Sequence, residues 1–333
     1  IALAIIITAI KAAFFKEDMP KSEKSEKENV NVKRCAKHLS QAIQIKTISC
    51  ADETKTDWTE FEKFHEFLEK SFPLISKASL LYEWTGTGSK ELPIAFLAHM
   101  DVVPVSRGTE NDWEHPAFDG YNDGEFIWGR GALDMKNHLI CLMESVETLL
   151  EEGYTPTRTV YLCLGHNEEI VAGENSGADE LMKELKSRGI RLDSVIDEGG
   201  AMLPASVKGI LDANLAGIGV AEKGYADFKL TLNAIGELSK AVCRLENHQF
   251  KAKMLPFVKN LFVLMGKRMT YKGRFILCNH AILRPLILKI MTKISPAASL
   301  VRTTTGVTMA EGSPAANVLP QKASVTVNFR IMP

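Results

Sequence analysis

The sequence lacks any Cys-x-x-Cys pair, and its six cysteines are widely separated along 333 residues. This spacing excludes a zinc finger, a thioredoxin-type redox site and a dense disulfide scaffold. The chain also lacks an excess of charge of either sign, because 40 basic residues stand against 41 acidic ones. There is consequently no global basic field that would recruit nucleic acid. No repeat with a period of about 20 to 50 residues is visible, which excludes solenoids and propellers.

The composition is that of an ordinary globular protein, with 45% hydrophobic and 24% charged residues. At about 150 residues per domain, the length predicts two domains. Because the chain begins with Ile1 instead of Met and stops at Pro333 after a strand-like run, we expect a fragment of a longer product.

The first 34 residues differ from the rest of the chain. Residues 1–15 are apolar apart from Thr8 and Lys11. A spanning helix needs about 20 apolar residues, so we interpret this segment as the remnant of a membrane anchor or signal peptide, or alternatively as a buried helix. Residues 16–34 carry six basic and five acidic residues, which is typical of a solvated linker. These features predict a membrane-anchored or secreted protein, the alternative being a cytoplasmic one.

Strand and helix patterns alternate between residues 35 and 217. The predicted strands, which are short apolar runs, are 92–98, 159–164 and 192–196, and the predicted helices are 58–72, 133–152 and 176–188. This order indicates an α/β domain with a parallel-rich sheet and helices on both faces. From residue 218 to 333 the alternation of polar and apolar side chains predicts a smaller α+β domain with an antiparallel sheet. Its predicted strands are 227–233 and 323–330, and its predicted helices are 235–248 and 281–294. We place the boundary near Gly217.

Residues that can bind metals follow all three buried strands. They are His99 and Asp101 after the first strand, Glu168 and Glu169 after the second, Asp197 and Glu198 after the third, and Asp134 at a helix start. Each alone is typical of a helix cap or a solvated strand end. The carboxyl ends of parallel strands meet at one edge, however, and like charges gathered there repel one another unless a cation is bound. An imidazole with carboxylates is a zinc ligand set, so the sequence predicts a metal site.

Seven stretches in chain order together carry a specific pattern. They are AFLAHMDVVPV (95–105), WEHPAFDG (113–120), GEFIWGRGALDMKN (124–137), GHNEEI (165–170), VIDEGG (195–200), VAEKG (220–224) and residues 302–333. This pattern resembles the co-catalytic zinc metallopeptidase family of carboxypeptidase S, aminoacylase and acetylornithine deacetylase. It is most similar to the branch of carboxypeptidase S and the N-acyl-amino-acid hydrolases.

The resemblance implies a site with two zinc ions. His99 would bind the first ion, Asp134 would bridge both, and Glu169 would bind the second. Glu198 would complete the first site, with Asp197 as the alternative ligand.

The resemblance also implies the remaining catalytic roles. Asp101 would orient the zinc-binding histidine, and Glu168 would be the general base. Asn317 and Arg330, in a lid domain that also forms homodimers, would hold the carboxylate of a small peptide or N-acyl amino acid. The resulting activity would be that of a carboxypeptidase or an N-acyl-amino-acid hydrolase.

Two departures from the family pattern affect this expectation, and the first implies that the C-terminal part of the catalytic domain is missing. The family's final zinc-binding histidine belongs to a stretch that follows the position of Pro333, and the family's Gly-His-Ser-Ser lid stretch is replaced by a direct passage from residues 231–234 into 235–250. The alternative prediction is therefore an inactive, truncated and membrane-tethered relative that binds ligand or one zinc ion without turnover. A magnesium- or manganese-dependent phosphoester hydrolase is a more remote alternative, disfavoured by the scarcity of glycine-rich phosphate loops.

Overall fold

A computed structural model describes residues 2–16, 30–75, 80–88, 90–170, 177–204 and 214–333. Its helices are α1 (Ala2–Phe14), α2 (Val32–Gln44), α3 (Trp58–Ser71), α4 (Lys136–Glu151), α5 (Gly177–Ser187), α6 (Ile235–Asn247), α7 (Pro256–Arg268), α8 (Tyr271–Cys278), α9 (His280–Met291) and α10 (Ser295–Ser299). Its strands are β1 (Leu81–Trp84), β2 (Ile94–His99), β3 (Val160–Gly165), β4 (Ser194–Ile196), β5 (Ala201–Pro204), β6 (Asn214–Gly217), β7 (Gly224–Leu232), β8 (Thr304–Glu311) and β9 (Ala323–Ile331).

The chain divides into two compact units. One comprises Lys24–Glu198, and the other comprises Ile1–Glu23 together with Gly199–Pro333. The division at Gly199 comes earlier along the chain than the boundary expected near Gly217. Most of the expected linker, residues 17–29, lies outside the described residues, and its last part already belongs to α2.

The first unit contains a four-stranded sheet with the order β1-β3-β2-β4. The strands β3, β2 and β4 run parallel, as the sequence predicts, and their carboxyl ends therefore share one edge. The antiparallel edge strand β1 was not predicted. Its four residues, which pair with β3 from Leu81 to Trp84, are too few to show a periodic pattern.

Helices cover both faces of this sheet because β3 is apolar on both sides. Val160, Leu162 and Leu164 pack with helices α2, α3 and α4 on one face. Tyr161 and Cys163 point to the other face, where α5 covers them. This alternation within one continuous apolar run confirms the predicted α/β class, and it fixes the sheet between two layers of helices.

The second unit has a three-stranded antiparallel sheet with the order β7-β9-β8. Helix α6 packs on this sheet through Leu238, which contacts buried residues of β9. The helices α7, α9 and α10 form a separate apolar cluster around Val258, Phe262 and Ile287. The predicted helix over 281–294 corresponds to α9, whereas α7 and α8 had no counterpart in the sequence prediction.

Helix α1 also belongs to the second unit. The Lys11 ammonium donates a hydrogen bond of 2.7 Å to the carbonyl of Cys278, and the Tyr271 hydroxyl donates to the carbonyl of Ala9 at 3.3 Å. Among the described residues, no helix combines the length and the apolar character that a membrane crossing requires.

The central position of β3 leads to a stability prediction. Leu162 is 1% exposed, whereas Leu92 in a loop of the same unit is 42% exposed. Leu162→Ala is expected to lower the free energy of unfolding by about 2–5 kcal/mol, because it leaves a cavity between the sheet and its helices. Urea unfolding measures this difference, with Leu92→Ala as the matched control that changes it by less than about 1 kcal/mol. Equal effects of the two substitutions would contradict the placement of β3 in the core.

Candidate metal centre

His99 ends the central parallel strand β2, and its imidazole faces three carboxylates. Its Nε2 atom lies 3.2 Å from Asp134 Oδ1, 3.7 Å from Glu168 Oε2 and 3.8 Å from Glu198 Oε1. The histidine is almost completely buried. The structure thus brings together, at one edge of the sheet, residues from the ends of three successive strands and from a helix start.

Asp101 holds this histidine from behind and is itself fully buried. The Nδ1 atom of His99 lies 3.0 Å from the backbone oxygen of Asp101 and 3.3 Å from its Oδ1. The same carboxylate accepts hydrogen bonds from the hydroxyl of Ser49 and, at 3.1 Å each, from the backbone N–H groups of Glu168 and Glu169. Asp101 therefore fixes both the imidazole and the turn that presents the two glutamates.

Asp134 lies in the turn before α4, with its side chain mostly exposed. The start of that helix is fixed by the buried Lys136, whose ammonium donates to the carbonyls of Ala42 at 2.9 Å and Ile45 at 2.6 Å. Burial lowers the pKa of Lys136 to about 7. Two main-chain oxygens at the end of α2 thus anchor the element that carries Asp134.

The electrostatics of the site show that its carboxylates are crowded. Burial opposes protonation of His99, but the hydrogen bond that its imidazole donates to Asp101 and the charges of Asp101, Glu198 and Glu168 raise its pKa to about 9. Burial and the neighbouring carboxylates raise the pKa of Glu198 to about 7. The charge of His99 acts in the opposite direction. Burial and the neighbouring acids also raise the pKa of Glu168 and of Glu169. A bound cation would relieve this repulsion.

Two sets of donor atoms are close enough to hold a metal ion. One consists of His99, Asp134 and Glu169, and the other of His99, Glu168 and Glu198; within each set the ligand atoms lie within 4.8 Å of one another. One imidazole with carboxylates suits zinc. The residues present therefore fit the metal that the family resemblance implies.

Of the two alternatives after β4, the structure brings Glu198 into the donor sets and leaves Asp197 outside them. The Oδ1 atom of Asp197 accepts a hydrogen bond of 2.8 Å from the backbone N–H of Glu198. Asp197 thereby shapes the turn, while the side chain of Glu198 approaches His99.

The two residues predicted to bind substrate belong to the second unit. Asn317 lies in the exposed loop between β8 and β9, and Arg330 lies on β9 with its guanidinium 4.9 Å from the ring centre of Tyr225. In the same unit β7 ends at Leu232 and α6 begins at Ile235, so the direct strand-to-helix passage expected from the sequence is present.

Sequence reasoning missed Ser49, the hydroxyl donor to Asp101. It lies about 50 residues before the first motif, in a segment with no regular pattern. The hydroxyl of the nearby Thr47 donates a hydrogen bond of 2.6 Å to the carbonyl of Met100. The backbone oxygen of Thr47 accepts a hydrogen bond from the N–H of Val102. The position next to the site is thus created by tertiary pairing, which no local signal in the sequence encodes.

The sheet and its cluster of donors define an α/β site suited to a divalent metal. The comparison with protein families then identifies the class directly. The chain belongs to Peptidase family M20/M25/M40, whose model matches residues 95–322.

Curated relatives agree with this assignment. The chain is 35% identical over 323 residues to "Probable carboxypeptidase S-like 2" of Dictyostelium discoideum, covering 90% of this chain and 61% of that protein. It is 34% identical over 340 residues to "N-fatty-acyl-amino acid synthase/hydrolase PM20D1" of Mus musculus, covering 94% and 65%. The chain thus spans less than two thirds of the length of these relatives. Their names support an enzyme by family, and they give no support to the alternative of an inactive relative.

Solved structures confirm the fold. An M20 family metallo-carboxypeptidase from Sulfolobus solfataricus matches with a TM-score of 0.57 and 19% identity, covering 90% of this chain and 71% of that one. The dipeptidase Dug1p from Saccharomyces cerevisiae matches with a TM-score of 0.59 and 14% identity, covering 100% and 73%.

The contacts of Asp101 generate a prediction for metal binding. Asp101→Asn is expected to weaken zinc binding by about 10- to 100-fold, because the neutral amide holds the imidazole less firmly. Competition with a chromophoric chelator measures the zinc affinity, and Asp112→Asn, on an exposed loop, is the control. Unchanged zinc affinity in a folded Asp101→Asn protein would refute the orienting role.

Proposed function

We propose that this chain carries the catalytic centre of a zinc-dependent amidohydrolase that cleaves small peptides or N-acyl amino acids with a free carboxylate. The observation that carries the proposal is the approach of Asp134, Glu168 and Glu198 to the single imidazole of His99, within 3.2 to 3.8 Å. A general protein surface would not gather three carboxylates around one buried histidine without a cation, since their mutual repulsion is unfavourable.

In this proposal His99, Asp134, Glu169 and Glu198 would hold two zinc ions. Bound zinc supplies Lewis-acid polarisation of the scissile carbonyl and eases the ionisation of water near neutral pH. All four residues occur in the two donor sets around His99, and the set that contains Glu198 also contains Glu168.

Glu168 is proposed as the general base. Its carboxylate stands beside His99, and its backbone N–H is held by Asp101 at 3.1 Å, so the side chain projects from a fixed turn. It would accept a proton from the attacking water at Oε2 and return it to the nitrogen of the leaving amine. A carboxylate in this position performs both transfers without moving its backbone.

Recognition of the substrate carboxylate is assigned to Arg330 with Asn317. Burial, together with the nearby charge of Arg330, lowers the pKa of Lys223. The ammonium of Lys223 lies 3.2 Å from the carbonyl of Arg302, at the same end of the sheet. The positive charges of Lys223 and Arg330 repel each other, and a bound anion would relieve this repulsion. The planar guanidinium of Arg330 is suited to a carboxylate.

The relatives support the substrate class, because their names include carboxypeptidases and hydrolases of N-fatty-acyl amino acids. The acyl group and the amino acid stay open within this proposal. A homodimer through the lid domain, and a membrane-anchored or secreted location, are likewise proposals that follow from the sequence alone.

The role of Glu168 is tested by Glu168→Gln. The substitution is expected to lower kcat by about 10²- to 10⁴-fold, because the amide cannot accept the proton of water. Hydrolysis of an N-acyl amino acid by the zinc-loaded protein is followed by release of the free amine. Glu62→Gln, on the exposed face of α3, is the matched control and keeps the parental rate. Zinc content is measured in parallel: a rate loss that only follows zinc loss would assign Glu168 to metal binding instead.

The role of Arg330 is tested with two substrates that differ only in the carboxylate. Arg330→Lys is expected to raise KM for an N-acyl amino acid about tenfold or more, since the bidentate contact is lost. For the corresponding C-terminal amide, parent and variant should have the same KM. An equal change for both substrates would contradict a specific contact between Arg330 and the carboxylate.

A further inference from the structure

Charge is distributed very unevenly along this nearly neutral chain. Between Glu246 and Glu311 there is no acidic residue, although the chain contains 41 of them. The same 64 positions hold seven lysines and four arginines. Eight of these eleven cations are exposed: Lys251, Lys253, Lys259, Arg268, Lys272, Arg284, Lys289 and Lys293. The helices α7 to α9 and the short segments that flank them therefore present a strongly basic surface in the second unit.

Helix α9 combines this charge with an exposed apolar stripe. Ile282, Leu286 and Ile290 follow one another at a spacing of four residues, and they are 68%, 54% and 51% exposed. Lys289 falls on the same side of the helix, seven residues after Ile282, and the exposed Lys293 follows in the turn just after the helix ends at Met291. Exposed isoleucine and leucine side chains with lysines among them thus form one face, which we call the α9 face.

The α9 face is not part of the core of its own unit. The side chains that α9 buries, Ile287 and Met291, lie on its other side and pack against Val258 and Phe262 of α7. The helix is therefore already anchored by one apolar side, while a second apolar side faces outwards.

The neighbouring helices extend the same character. Leu264 of α7 and Ile276 of α8 are 58% and 41% exposed, and Lys259 and Lys272 on these helices are exposed as well. Large apolar side chains that stay in water across several helices mark an interaction surface more often than chance exposure.

We propose that this basic helical surface docks on an anionic phospholipid bilayer. A helix that lies in a membrane interface has lysines that meet the headgroups and apolar side chains that enter the acyl boundary, which is the composition of the α9 face. Each lysine near an anionic membrane contributes attraction that salt weakens.

Other partners fit the surface less well. A nucleic acid would use the cations but would leave the isoleucine stripe in water, because its affinity comes mainly from phosphate contacts. A second copy of the chain would bring two acid-free surfaces together, and like charges at close range repel. An anionic bilayer satisfies the charge and the apolar stripe at once.

The test is co-sedimentation of the full 333-residue chain with vesicles. Vesicles of phosphatidylcholine with about one third phosphatidylserine are expected to bind the protein at low salt, and pure phosphatidylcholine vesicles are expected to bind it at least about tenfold more weakly. Raising the salt concentration to about 0.5 M should release most of the protein, because the Debye length falls below about 5 Å. Equal binding to both kinds of vesicle would overturn the proposal.

Variants locate the binding to the α9 face. Lys289→Glu with Lys293→Glu is expected to weaken binding to the anionic vesicles by at least about tenfold. Lys33→Glu with Lys37→Glu makes the same charge change at the same spacing on exposed positions of α2, and it should leave binding within about twofold. A similar loss in both double variants would indicate a general charge effect and overturn the assignment.

A second variant tests the apolar stripe. Replacing Ile282, Leu286 and Ile290 by glutamine should weaken vesicle binding about tenfold or more and reduce its residual binding at high salt. Circular dichroism checks the fold, and if this triple variant does not fold, the lysine pair still decides the question. If the parent chain does not bind vesicles but forms a dimer, and the glutamine variant does not form that dimer, the α9 face would be assigned to a second copy of the chain instead.

Discussion

The arrangement of the first unit depends on one constraint: several carboxylates and one imidazole share a half-buried edge of a sheet. This clustering follows from parallel strands whose carboxyl ends meet, since β2, β3 and β4 each deliver their polar residues to the same place. The hydrogen bonds that Asp101 accepts keep the cluster in position, because they connect the strand end, the glutamate turn and the segment that contains Ser49. Folding and metal binding are therefore linked at this edge.

The elements that could be predicted from the sequence are those with a clear local pattern of apolar and polar residues. The three predicted parallel strands are confirmed to within two residues, because each is a short segment that polar and turn-forming residues bound on both sides. The edge strand β1 and the helices α7 and α8 were missed, the strand because it is short and the helices because the whole segment is apolar and basic. Their apolar side chains lie on more than one side of each helix, buried at Val258 and exposed at Leu264, so no clear helical period marked them in the sequence.

The candidate site was predicted in part for the same reason. His99, Asp134, Glu168, Glu169 and Glu198 stand at strand ends or helix starts, where their position can be inferred from the sequence, and the structure gathers them. Tertiary contacts could not be inferred, and these include the hydroxyl that binds Asp101 and the choice between the two acids after β4. The roles proposed for Asn317 and Arg330 also depend on how substrate binds, which sequence pattern alone does not specify.

Lys136 connects the site to a segment distant in sequence through main-chain atoms of that segment. The side chains of the segment take no part in the contact. Its ammonium binds the main-chain oxygens of Ala42 and Ile45, atoms that every amino acid supplies. Residues 42 and 45 can therefore drift in evolution, within the limits of packing, while the contact persists. A covariation search across homologous sequences would find position 136 fixed and no partner that changes with it, although the physical link is direct.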